Sequence, residues 1–134
     1  MSAYSRKSSL AAYRSVAVHS GVAAADPHRL IVMLMDGALE RISSAIGAMQ
    51  HGDAAARNGH IHRAVEIMQE LRGSLNLEAG GEIAANLADL YEYSCKQLVR
   101  ANLETRPEML EEVANLLRQI RSAWIQIPAS GQQP

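Results

Sequence analysis

The side chains of this sequence that could do chemistry are few: His60 and His62, the paired carboxylates Glu111 and Glu112, the lone Cys95, and the glycine pair Gly80-Gly81. A di-iron centre in a helical protein needs Glu-x-x-His on two helices, so that carboxylate and imidazole converge on one metal. No glutamate here is followed by histidine three residues on. His60 and His62 are two residues apart, which on a helix points them about 200° from each other, a poor arrangement for sharing a metal. Glu111 and Glu112 read as a solvated face. Cys95 has no Cys-x-x-Cys companion, and an isolated helical cysteine is more often a small packed residue than a nucleophile. Gly80-Gly81 opens a helical stretch, but the Gly-x-x-x-x-Gly-Lys phosphate loop is absent and Glu82 would repel an anion. No convergent set of acids, bases or ligands emerges. Catalysis, cofactors and metals are not expected, and binding is the better class of function.

The elements that carry these residues follow from periodicity. Asp26 is a good N-cap and Pro27 is preorganised for a first helical turn, so a long helix should begin there. Its apolar stripe runs Ile31, Leu34, Met35, Ala38, Ile42, Ala45, Ile46 and Met49, and Gly52 ends it. Asp53 can cap a second helix with a stripe through Ile61, Ala64, Val65, Met68, Leu71 and Leu75. Gly80-Gly81 marks a break. The third stripe is Ile83, Leu87, Leu90, Tyr91, Ser94, Leu98 and Ala101. Thr105 and Glu108 have capping-box form with Pro107 in the first turn, and a fourth helix buries Leu110, Val113, Leu117, Ile120, Trp124 and Ile127. Trp124 is thereby expected in the interior. Four amphipathic helices joined by short breaks can bury their stripes together only as a bundle, with sequential neighbours antiparallel.

The expected fold is therefore all-α, an antiparallel four-helix bundle over residues 26–128. Residues 1–25 are expected to form a mobile N-terminal arm or short helix, and residues 129–134 a disordered tail. Composition agrees: 48% of residues are hydrophobic, yet only 4% are aromatic and none is Phe. Such a core must be built from Leu, Ile, Val, Met and Ala, a palette that suits helices better than strands. A net charge of -1, from 13 Lys and Arg against 14 Asp and Glu, offers no positive field for phosphate backbones or anionic lipid. Neither nucleic acid nor membrane is an expected partner. No apolar run is long enough to span a bilayer, and Arg14 and His19 interrupt what would be the apolar core of a signal peptide. A single cysteine excludes an internal disulfide and suits a reducing, cytoplasmic location.

Three stretches add more. Residues 26–38, DPHRLIVMLMDGA, closely resemble the opening of the first long helix in the FliS family of flagellar export chaperones. Residues 80–93, GGEIAANLADLYEY, resemble a second motif of that family, and Arg100-Ala101-Asn102-Leu103, Glu111-Glu112-Val113 and Ala123-Trp124 follow in the same order. Met35, Asn76 and the Ser94-Cys95 pair depart from the family's commoner residues. The resemblance implies a cytosolic helical bundle that binds the disordered C-terminal segment of new flagellin. It further implies that the bundle prevents premature polymerisation and delivers flagellin to the type III export gate.

On that reading the candidate flagellin-binding residues are Leu30, Met33, Gly37, Asn86, Leu87, Leu90, Val99 and Leu103. Several of them, with Val32 and Leu116, lie beside or off the main stripes and so widen the apolar surface. Gly37 costs up to about 1 kcal/mol in a helix interior, which points to close approach by a neighbouring helix or client. Leu10 and Tyr13 in the arm share a helical edge that could cover an open groove before the client arrives, and Tyr13 would then be free for the export gate. The competing reading is a structural or regulatory bundle that homodimerises through the same apolar face.

Overall fold

In the computed structural model, which describes residues 26–127, the predicted stripes fold as four helices with no strand among the described residues. They are α1 (Pro27–Gln50), α2 (Ala54–Gly73), α3 (Leu77–Glu104) and α4 (Pro107–Gln126). The first two start as expected: Asp26 Oδ1 accepts from His28 N–H at 3.1 Å and Asp53 Oδ1 from Ala56 N–H at 3.1 Å. Each carboxylate satisfies a donor that the first turn leaves orphaned. Gly52, at φ 69°, supplies the left-handed residue that turns α1 into α2.

Two starts differ from expectation. The side chain of Asn76 accepts from Ala79 N–H at 3.0 Å, so α3 begins one turn before the glycine pair. Gly81 then kinks the helix instead of breaking it, at φ 53° and ψ -127°. The capping box at α4 does not form. Thr105 ends α3 in the left-handed conformation (φ 52°, ψ 56°), which leaves Arg106 at the N-cap without a side-chain bond. Glu108 turns to the Arg106 guanidinium at 3.2 Å instead. The turn is so short that one residue must reverse the chain, and Thr105 cannot do this and cap at once.

The helices pack as a ring, α1 against α2, α2 against α3, α3 against α4, and α4 back against α1. Inside it, Leu34, Met35, Ile42, Met68, Leu98, Leu110 and Leu117 are fully buried. Tyr91 is the one aromatic buried among the described residues, at 3% exposure, and burial pushes its phenol pKa up. Ile67 and Met109 join the core although the stripe reading passed over them, while Ile83 (68% exposed) and Ile127 (40%) stay outside. Ile83 lies just beyond the kink, and Ile127 follows the last turn of α4.

Trp124 is half-buried, not interior, because it caps the end of the ring. Its indole stacks on the His28 imidazole, centroids 5.5 Å apart and planes 11° from parallel. Trp124 Nε1–H donates to the His28 carbonyl at 3.2 Å, and His28 Nε2 donates to the Trp124 carbonyl at 3.1 Å. The first turn of α1 is thereby tied to the last turn of α4. Further along the same seam Arg121 Nε donates to Asp36 at 2.6 Å.

Two predictions follow from the backbone and the ring closure. Gly81→Ala should cost about 1–3 kcal/mol by denaturant unfolding, since an added Cβ meets nothing within 4 Å and only backbone strain opposes it. Gly59→Ala, equally unhindered but in regular helix within α2, should stabilise by up to about 1 kcal/mol. Equal effects would mean that the kink is not enforced by the fold. For the clasp, Trp124→Phe should cost about 1 kcal/mol for the lost donor, and Trp124→Ala about 2–3 kcal/mol, below the value for a fully buried ring. A Phe variant as unstable as the Ala variant would assign the whole effect to the hydrogen bond.

Candidate functional site

The eight candidate residues divide over separate faces. On α1, Leu30, Met33 and Gly37 form a stripe that continues to Arg41, whose Nη1 lies 3.3 Å from His60 Nδ1 of α2. They therefore lie along the α1/α2 seam. Leu30 is 3% exposed, and Met33 and Gly37 are half-buried. On α3, Asn86 and Leu90 share a stripe with Tyr93 and Gln97, and the last two donate to Glu112 of α4 at 2.9 and 2.8 Å. Asn86 is exposed there, Leu90 is half-buried, and Leu87 packs against the core beside them. Val99 and Leu103 continue a third stripe from Glu92, which pairs with Arg72 of α2 at 3.2 Å. Those two lie on the α2 side and are 47% and 80% exposed. No single groove contains all eight. Leu10 and Tyr13 lie outside the described residues.

Among the described residues, grooves form on either side of α4. The α3/α4 groove has a volume of about 580 Å³, with Leu90, Tyr93 and Leu116 beneath the carboxylates of Glu108, Glu111 and Glu112. The α1/α4 groove, about 330 Å³, runs past the Asp36–Arg121 pair to Ile125. Hydrogen bonds from Gln97 and Tyr93 hold the Glu112 carboxyl below its usual pKa, and the same bond raises that of Tyr93. The sequence reading treated Glu111 and Glu112 as a solvated face. They stand above an apolar floor to which another helix, α3, contributes Leu90 and Tyr93, which spacing along α4 does not reveal.

The residues weighed for chemistry stay apart. His60 meets Arg41, while His62 faces Glu66 at 3.6 Å, and no group of three metal-ligating side chains converges among the described residues. Burial pushes the Cys95 thiol up to about 11, against a smaller opposing pull from Arg72, and its Sγ lies 3.8 Å from the Val65 carbonyl. Such a thiol is protonated at neutral pH and a poor nucleophile. No helix among the described residues is long and apolar enough to cross a membrane.

The family described as flagellar protein FliS matches residues 9–131. The chain belongs to the FliS family. It is 42% identical to the flagellar secretion chaperone FliS of Vibrio cholerae, over 91% of this chain and 90% of that one. It is 41% identical to the FliS of Salmonella typhimurium over 90% of each, and 34% identical to that of Bacillus subtilis over 80% of this chain and 79% of the relative. The FliS resemblance carried by residues 26–38 and 80–93 is thus shown across nearly the whole chain. FliS proteins are flagellar chaperones and not enzymes.

Proposed function

We propose that this chain is a cytoplasmic chaperone for flagellin, binding the disordered C-terminal segment before export and handing it to the type III export gate. The observation that carries the reading is membership of a family whose curated relatives are flagellar secretion chaperones. The distribution of exposed apolar side chains supports it. Leu77, Ile83, Val99 and Leu103 are 47–80% exposed along α3. They lie on a bundle whose own core is already filled. A folded partner presents one continuous patch, whereas a disordered chain can bend around a bundle and meet scattered apolar positions in turn. Ordering that chain costs entropy, so several contacts must add up before binding is tight.

Within this reading the client follows the α2-bearing side of the bundle, from Met33 and Gly37 to Val99 and Leu103. Leu30 supports that surface from beneath. The arm residues Leu10 and Tyr13 cover part of the surface before the client binds, and Tyr13 serves the export gate once released. Covering must be weak: burying two side chains offers a few kcal/mol at about 25 cal/mol per Å², before ordering entropy is subtracted. Without a client the same apolar surface supports a homodimer.

Calorimetric titration with a flagellin C-terminal peptide tests this reading. Leu103→Asp should weaken binding by about 10- to 100-fold, the worth of one buried leucine, with little change in folding stability because the side chain is exposed. The chain lacking residues 1–18 should bind at least as tightly and self-associate more readily by light scattering. Absence of peptide binding by the parent would sink the reading, and a stable dimer indifferent to peptide would favour the structural bundle.

A further inference from the structure

The α3/α4 groove is not used by the client path proposed above, and its chemistry is different. Leu90 of α3 and Leu116 of α4 are both half-buried beside the Tyr93 ring, which is 42% exposed. Above this floor stand Glu108, Glu111 and Glu112, all exposed. No lysine or arginine lines the groove. Glu108 is paired with Arg106 at the helix start, while Glu111 has neither a hydrogen-bond nor an ion-pair partner among the described residues. Three carboxylates at i, i+3 and i+4 repel one another along α4, a local cost that an approaching cation would relieve. The Tyr93 ring is fixed by the bond from its hydroxyl to Glu112, at 2.9 Å, so part of its face is presented in a constant orientation. An aromatic face attracts ammonium and guanidinium groups independently of the carboxylates.

We propose that this groove docks a basic amphipathic helix from a protein other than the flagellin client. The apolar floor fits the leucine ridge of such a helix, and the carboxylate rim fits lysines or arginines flanking that ridge. The same rim repels phosphate, which disfavours nucleic acid and anionic lipid. Leu90, grouped with the client residues on sequence, belongs to this second surface. Val99 and Leu103, by contrast, lie on the α2 side of the same helix. The two surfaces can therefore be occupied together.

The test uses the full-length protein, isotope-labelled, and a synthetic amphipathic peptide about five helical turns long with lysines flanking a leucine ridge. A peptide with every lysine replaced by glutamate is the control. The lysine peptide should shift the resonances of Leu90, Tyr93 and Leu116, and the glutamate peptide should not. E108Q/E111Q/E112Q should weaken binding by about tenfold, the summed effect of three exposed ion pairs, whereas E40Q/E78Q/D89N, with the same change in net charge, should not. Leu116→Arg, which plants a cation on the floor, is the second variant and should weaken binding as well. Thermal unfolding of each variant accompanies the titration. Saturation with the flagellin peptide should leave the affinity unchanged. Equal losses in the two triple variants would reduce the effect to bulk charge and overturn the proposal. So would shifts centred on another face, competition by the flagellin peptide, or self-association through these same residues.

Discussion

The structure depends on four aliphatic stripes leaving water together. With no Phe available and Tyr91 the one aromatic buried among the described residues, aliphatic side chains fill most of the space between helices, and the core is completed by close approach. Ala38, Ala45, Ala64, Ala84 and Ala101, each fully buried, let the backbones draw near, and Leu, Ile and Met from opposite helices meet between them. Such an interior works only when all four walls are present. The α1–α4 seam closes the ring, and there the chain places its single tryptophan, stacked on His28 and exchanging two hydrogen bonds with it.

Polar side chains around the perimeter reinforce this closure without driving it. Arg57 donates to Asn102 at 2.8 Å across α2 and α3, Arg72 pairs with Glu92, and Arg121 pairs with Asp36. The two ion pairs, largely exposed, contribute about 0–1 kcal/mol each, so they set register more than stability. Glu70 is the exception in placement. It is 4% exposed with Arg63 at 3.4 Å, and a buried carboxylate of this kind is tolerable only with charge and hydrogen bonds around it.

Because the core is satisfied internally, the apolar side chains left outside are available for partners. Their arrangement suits a chaperone's task. If the client is disordered, as proposed, a preformed bundle leaves the ordering entropy to that partner, which keeps the complex reversible. An acidic groove on one flank and exposed leucine and valine on the other give the molecule two chemically distinct surfaces.

Much of this was legible in the sequence. The four stripes and the Asp26 and Asp53 caps follow from local chemistry, because periodicity and capping act within one or two turns. The motifs at residues 26–38 and 80–93 carried the family resemblance. What the sequence could not fix was every feature requiring two helices at once. Thr105 looked like a cap until the turn needed it to reverse the chain, and Gly81 looked like a break until Asn76 started the helix earlier. Trp124 continued a buried stripe, yet where the ring ends its neighbour is His28 and not the core. The candidate binding residues shared one list and no single face, because which flank of a helix meets a neighbour is decided by the ring's closure and not by spacing along the chain. Glu111 and Glu112 became the rim of a groove only when α3 supplied Leu90 and Tyr93 to its floor.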